Sequence, residues 1–231
     1  MKIGFFADPH YSSVPLSCGN RYHSKSLDKI KQAYKHFEKE NCDLVVCLGD
    51  LIDTEDFHEK EIENLKEIAE VIDNSPIKTV CLMGNHDAFA FTKKDYYDIL
   101  KGCEPQNITA DGKRLLFLDC CYFKNGEHYM PGDTDWTDTY YPYFDELKKE
   151  IENSNQEIYI FTHQNLDINA PSNHCLYNME EINAFLQSSE KVKTVYQGHY
   201  HKGEESINGG IRYKTFPAMC EIENGYFIEK I

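Results

Sequence analysis

Residues 43–53 read Asp-Leu-Val-Val-Cys-Leu-Gly-Asp-Leu-Ile-Asp. Asp43–Leu48 is short, apolar and β-branched at its centre, the pattern of a strand buried on both faces. It ends in Gly49-Asp50, so the strand delivers a carboxylate at its exit. A carboxylate has two oxygens and can bridge two cations. In isolation the same residue reads as a helix N-cap or an Asx turn. Asp53 reads as a cap or as support for Asp50.

The arrangement recurs on either side. Lys2–Ala7 exits into Asp8-Pro9-His10, and Ile77–Met83 exits into Gly84-Asn85-His86-Asp87. Between these strands, Ser26–Glu40 and Phe57–Ile72 carry apolar residues at helical spacing: Ile30, Ala33 and Phe37 in one, Leu65, Ile68 and Ile72 in the other. Further on, Lys113–Leu118 ends at Asp119. Glu157–Phe161 ends in Thr162-His163, and Val192–Tyr196 in Gln197-Gly198-His199-Tyr200-His201. Tyr140–Ile151 and Glu180–Leu186 are the helix candidates of this half. Strand-like runs at Glu205–Ile207 and Ile211–Phe216 flank Asn208-Gly209-Gly210, a hairpin signal, and Tyr226–Ile231 is a last strand. Strands alternating with amphipathic helices predict an α/β fold. The whole of 1–231 is expected to be one domain, because no linker or shift in composition divides it.

Composition narrows the function. The chain is 41% hydrophobic and 27% charged, with a formal net charge of −15. That balance disfavours a nucleic-acid polymer as partner, since phosphate backbones need Lys and Arg. It leaves small phosphorylated molecules open, because bound cations reverse a local field. No apolar stretch is long enough for a membrane span, and the N-terminal run is too short for a signal-peptide core. Nine cysteines are scattered, with Cys42, Cys47, Cys81 and Cys120 in or beside apolar runs. Reduced thiols and a cytoplasmic location are the expectation. Cys120-Cys121 lack the spacing of a cysteine zinc site.

The polar clusters share one property. Each lies just past the C-terminal end of a predicted strand, the edge where α/β sheets bind ligands. Asp8 and His10, two apart, can converge on one cation. Asn85 offers a neutral oxygen to a cation, which leaves His86 to donate a proton toward a bound phosphate with Asp87 to orient it. His163 alone reads equally as a satisfied core histidine. His199 and His201 are expected to flank a pair of metals. Chance explains any single element far better than it explains the ordered set.

That ordered set, Asp-x-His, Gly-Asp, Gly-Asn-His-Asp, an isolated His and Gly-His-x-His, resembles the calcineurin-like metallophosphoesterases. Gly49-Asp50-Leu51-Ile52-Asp53 and Gly198-His199-Tyr200-His201 look most like the class III cyclic-nucleotide-phosphodiesterase-like branch. The resemblance runs from Asp8 to His201. It implies a β-sandwich flanked by helices, with the metal centre at strand C-termini. It also implies a first metal held by Asp8, His10, Asp50 and His201, and a second by Asp50, Asn85, His163 and His199. Asp50 would bridge, and His86 would be the substrate-facing acid. Such centres hold two divalent or mixed-valence ions about 3.5–4 Å apart. The donor set suits Mn, Fe or Zn and admits Mg. The nucleophile implied is a metal-bound hydroxide.

The expected reaction is therefore hydrolysis of a phosphodiester or pyrophosphate in a small phosphorylated substrate, nucleotides among the candidates. A phosphomonoesterase or protein phosphatase on the same site is the alternative. A non-catalytic scaffold of the same fold is the alternative of another class, and the complete ligand set opposes it. A mononuclear zinc hydrolase leaves too many ligands unexplained. Two segments carry no assignment. Tyr122–Tyr143, with Tyr129, Asp133, Asp135, Trp136, Tyr140 and Tyr141, is a substrate-stacking loop or a loop packed on the sheet's flank. Ser12–Ser24 contains Arg21, which can meet a phosphate or pair with an acidic neighbour.

Overall fold

A computed structural model describes residues 1–133 and 139–231 of the chain. The strands are β1 (Lys2–Phe6), β2 (Leu44–Cys47), β3 (Thr79–Cys81), β4 (Ile108–Ala110), β5 (Lys113–Leu118), β6 (Glu157–Thr162), β7 (Val192–Gln197), β8 (Glu204–Asn208), β9 (Ile211–Thr215) and β10 (Tyr226–Lys230). The helices are α1 (Ser26–Lys39), α2 (His58–Asp73), α3 (Asn85–Ala90), α4 (Lys93–Ile99), α5 (Phe144–Asn153) and α6 (Met179–Ser188). Two sheets form: β10-β1-β2-β3, and β4-β5-β6-β7-β9-β8. The inner neighbours pair in parallel, and β10, β4 and β8 pair antiparallel with β1, β5 and β9.

Period-two alternation sorts each inner strand between two cores. Phe5, Leu44, Val46 and Val80 face Phe117, Tyr159, Phe161, Tyr196 and Phe216 in the layer between the sheets. Phe5 stacks on Phe216 at 4.7 Å between centroids, and Phe117 on Phe161 at the same distance. The alternate residues Phe6, Val45, Cys47 and Cys81 pack outward with Ile30, Phe37, Leu65, Ile68 and Tyr96 of α1, α2 and α4. On the far side Leu116, Ile158, Ile160 and Val195 pack with Leu147, Ile151, Ile182 and Leu186 of α5 and α6. The fold is therefore a β-sandwich with helices on both outer faces, and its central strands read as continuous apolar runs for that reason.

Local chemistry explains the boundaries. The β8–β9 hairpin pairs Asn208 with Ile211, and both turn residues, Gly209 (φ 57°) and Gly210 (φ 80°), adopt the left-handed backbone that a two-residue turn demands. Helix α5 begins at Phe144, later than the helical spacing predicts, with Pro142 just before the turn at Tyr143. Helices α3 and α4 follow Gly84, in a stretch where the apolar spacing predicts no element. Thr92 starts α4 by accepting the Asp95 amide at 3.1 Å. All nine cysteines are free, eight of them buried. Among the described residues no helix is long and apolar enough to cross a membrane.

Candidate metal centre

The parallel strands of both sheets point their C-terminal ends at one edge, and the polar clusters meet there. Asp8 and His10 follow β1, Asp50 follows β2, Asn85 and His86 open α3 after β3, His163 follows β6, and His199 and His201 follow β7. Four of these residues hold left-handed backbone: Asp8 (φ 51°), His10 (φ 45°), Asp50 (φ 53°) and His199 (φ 64°). Such turns reverse the chain within a residue or two and bring consecutive polar groups to one point.

Asp50 stands at the middle. Its Oδ2 lies 3.6 Å from His10 Nε2 and 3.2 Å from His163 Nε2, while Oδ1 accepts the His86 amide at 2.8 Å. On one side Asp8, His10 and His201 converge: His10 Nε2 and His201 Nε2 are 3.1 Å apart, and Asp8 Oδ1 is 3.9 and 3.7 Å from them. On the other side His163 Nε2 is 3.3 Å from Asn85 Oδ1, and His199 joins Asp50 and His163 in a second group of mutually close donor atoms. Asp8 also accepts the His199 amide at 3.2 and 3.0 Å, which ties the two sides together.

The two imidazoles of Gly198-His199-Tyr200-His201 reach different donor groups, for a reason the spacing did not supply. Residues two apart in an extended strand share a face. The left-handed turn at His199 splits them.

The far nitrogens of two of these rings are engaged. His163 Nδ1 donates to the Leu48 carbonyl at 2.6 Å, and His201 Nδ1 to Glu221 Oε1 at 2.5 Å. Asp53 Oδ2 lies 3.4 Å from His10 Nδ1, and His23 Nδ1 donates to the His10 carbonyl at 2.8 Å. With Nδ1 committed, Nε2 of His163 and of His201 turns a lone pair inward beside carboxylate oxygens. Nitrogen and oxygen donors crowded at 3.1–3.9 Å around two points are a fit for cations.

Electrostatics agree. Asp50 is fully buried, which disfavours its charge, yet His163, His86 and His10 hold its carboxyl well below the usual range. Burial opposes a charge on His86 also, but Asp50 and Asp53 outweigh it and push that imidazole up to about 9. Burial, followed by His163, depresses His199 well below the ordinary imidazole value.

Asp87 has a different position from the one expected. Its carboxylate accepts the amides of Gly84 at 2.9 Å and Ile52 at 3.2 Å, and the Tyr96 hydroxyl at 3.3 Å. It reaches back as the third helical residue of α3 and fixes the turn that carries Asn85. Burial and the charge of Asp50 push it up to about 7. The group beside the His86 ring is Asp53, whose Oδ1 lies 3.1 Å from Nδ1. Gly84 itself is forced: a Cβ there would stand 2.1 Å from Asp50 Oδ1.

The centre opens into a cavity of about 470 Å³. Asp50 and His86 line its floor, and Arg21, Lys202, His174 and Tyr200 its walls. Arg21 donates Nε to Glu221 Oε1 at 3.2 Å, so the acidic partner anticipated for it is present. His174 packs its ring 5.0 Å from that of His199 and 5.1 Å from that of Tyr200. Neither His174 nor Glu221 sits in a recognisable motif, and the sequence carries no signal that would have singled them out. Tyr129 and Tyr141 of the long loop pack into the two outer cores, and Tyr122 is buried as well. Its Asp135 and Trp136 lie outside the described residues.

Comparison with known proteins bears on the fold and the family. A protein of Psychrobacter arcticus named "Probable cyclic nucleotide phosphodiesterase" is 24% identical over 205 residues, which cover 83% of this chain and 67% of that one. The crystal structure of a dimetal phosphatase from Danio rerio superposes with a TM-score of 0.83 at 17% identity, covering 98% of this chain and 91% of that chain. The phosphopantetheinyl hydrolase of Mycobacterium tuberculosis superposes with a TM-score of 0.54 at 12% identity, over 95% and 90% of the two chains. Residues 1–203 match the family described as calcineurin-like phosphoesterase, and the chain belongs to that family of metal-dependent hydrolases.

Proposed function

We propose that the chain hydrolyses phosphodiester or pyrophosphate bonds of a small substrate at a pair of cations. The observation that carries this reading is the position of one oxygen, Asp50 Oδ2, between an imidazole from each ligand group. Asp8, His10, Asp50 and His201 would hold one cation, and Asp50, Asn85, His163 and His199 the other. Bound there, Mn, Fe or Zn ions, or Mg, supply Lewis-acid activation of water and of the phosphoryl group.

The chain's own residues do the rest. His86 lines the cavity floor and donates a proton to the leaving oxygen, with Asp53 holding its Nδ1. Asp87 braces the Gly84-Asn85 turn that aims the Asn85 oxygen. Arg21, paired with Glu221, and Lys202 bring two cationic side chains to the cavity in a chain whose net charge is −15. Cationic side chains beside the cavity favour a substrate whose leaving portion is itself polar or anionic, and the cavity has room for more than a lone phosphate. The name of the Psychrobacter arcticus relative points to diesters too.

The test is a comparison of kcat/KM on aryl phosphomonoesters, aryl phosphodiesters, cyclic nucleotides and nucleotide-type pyrophosphates after reconstitution with each metal. Diesters or pyrophosphates should lead. A monoester that leads with every metal would overturn the assignment of bond type in favour of a phosphomonoesterase.

A further inference from the structure

Lys29 projects from α1, a helix whose other inward residues are apolar or aromatic apart from Ser26 at its first turn, and it is only 9% exposed. Its ammonium has three N–H donors and no acceptor. All three find carbonyls of one turn: Met219 at 2.7 Å, Ile222 at 2.8 Å and Cys220 at 3.3 Å. Three carbonyl dipoles converging on a point need positive charge among them, and no other cationic side chain donates to them among the described residues. The same turn is stitched to the exit of β1, since Met219 donates to the Ala7 carbonyl at 2.9 Å and Cys220 to the Asp8 carbonyl at 3.3 Å.

The turn also carries Glu221. Its carboxylate accepts from His201 Nδ1, from Arg21 Nε and, through Oε2 at 2.7 Å, from Asn20. The carboxylate thus sets which nitrogen of His201 carries the proton and which way Nε2 points. A chain of contacts runs from a helix on the outer face of the sheet to an inward-facing ring nitrogen.

We propose that Lys29 is a positioning residue for the cation at Asp8, His10 and His201, acting through the Met219–Ile222 turn and Glu221. The inference rests on the two-cation reading above. Without the ammonium the three carbonyls repel, the turn relaxes, and Glu221 no longer holds His201. The other cation, backed by the Leu48 carbonyl, is untouched.

The experiment is a titration of metal-free protein with Mn, followed by electron paramagnetic resonance and calorimetry. Lys29→Met and Glu221→Gln should each weaken one of the two Mn ions by about 10–100-fold, the usual range for partners behind a metal ligand, and leave the other unchanged. On the Glu221→Gln background, Lys29→Met should add little. Lys29→Arg keeps the charge but spreads its donors over a plane, and should give a smaller loss at the same ion. Ala33→Gly, one turn along α1, controls for instability and should lower Tm with both Mn affinities intact.

Wild-type affinity at both positions in Lys29→Met would overturn the proposal. So would a loss shared equally by both ions, a loss matched by Ala33→Gly, or full additivity with Glu221→Gln. Should Lys29→Met not fold, Lys29→Arg alone and combined with Glu221→Gln decides by the same criteria. Wild-type protein that takes up fewer than two Mn ions overturns the two-cation reading itself, and this proposal with it.

Discussion

The two sides of Asp50 present similar donor atoms and are backed in different ways. His10 and His201 have carboxylates behind them, Asp53 at 3.4 Å and Glu221 at 2.5 Å, and Asp8 beside them. His163 has a backbone carbonyl behind it at 2.6 Å, and its neighbour Asn85 is neutral. A carboxylate orients an imidazole, strengthens it as a donor and adds negative charge, whereas a carbonyl only orients it. One side therefore gathers charge of its own, and the other depends on sharing Asp50. The comparison teaches that two sides with similar ligands can be backed differently, and it predicts that they would hold two cations unequally.

Removing Asp50 should erase that inequality along with the centre. Asp50→Ala is expected to bind fewer than two Mn ions and to lose more than about 10³-fold in kcat, checked by elemental analysis and turnover of an aryl phosphodiester. Retention of two ions and half the activity would remove Asp50 from the bridging position.

His86→Ala probes chemistry rather than affinity. Both ions should stay bound on either side. Activity should fall by about 10²–10⁴-fold on alkyl or nucleoside esters, and by less on nitrophenyl esters, whose leaving group needs no proton. Equal losses on both would recast His86 as a group that steadies the phosphoryl oxygens.

Asp53→Asn sharpens the comparison directly, because it removes charge from one side and leaves Leu48 in place. The expected result is a loss of about 10–100-fold in affinity for one Mn ion only. A smaller effect should be visible in the unaltered protein: stepwise Mn titration by calorimetry is expected to show two unequal sites, about tenfold apart, with the weaker one on the Asn85 and His163 side. Two indistinguishable sites would show that Asp53 and Glu221 orient without tuning.

Much of this was legible in the sequence because the physics is local. A strand buried on both faces reads as a continuous apolar run, and Leu44–Cys47 does. The hairpin at Asn208-Gly209-Gly210 was visible because a two-residue turn needs left-handed backbone. The candidate ligands stood out because each follows such a run at once. What stayed hidden depends on distance along the chain. Glu221 stands twenty residues after His201, and only the pairing of the Met219–Ile222 turn with the exit of β1 places it behind that ring. Asp87 and Asp53 exchange their anticipated roles because α3 begins at Asn85, which turns the third helical side chain back toward Gly84. Helix α3 spans only six residues, too few for its period to register.

The left-handed backbone at Asp8, His10, Asp50 and His199 has a consequence for anyone who would move this centre elsewhere. Each such residue sits about 1–2 kcal/mol above its relaxed conformation, and the four together rival the net stability of an ordinary domain. The surrounding sandwich has to absorb that strain. Grafting the seven side chains onto a scaffold with relaxed loops would transplant the ligands and leave behind the tension that gathers them. In directed evolution the same positions would accept Asn, Asp, His or Gly and refuse Val or Ile, whatever became of the metal.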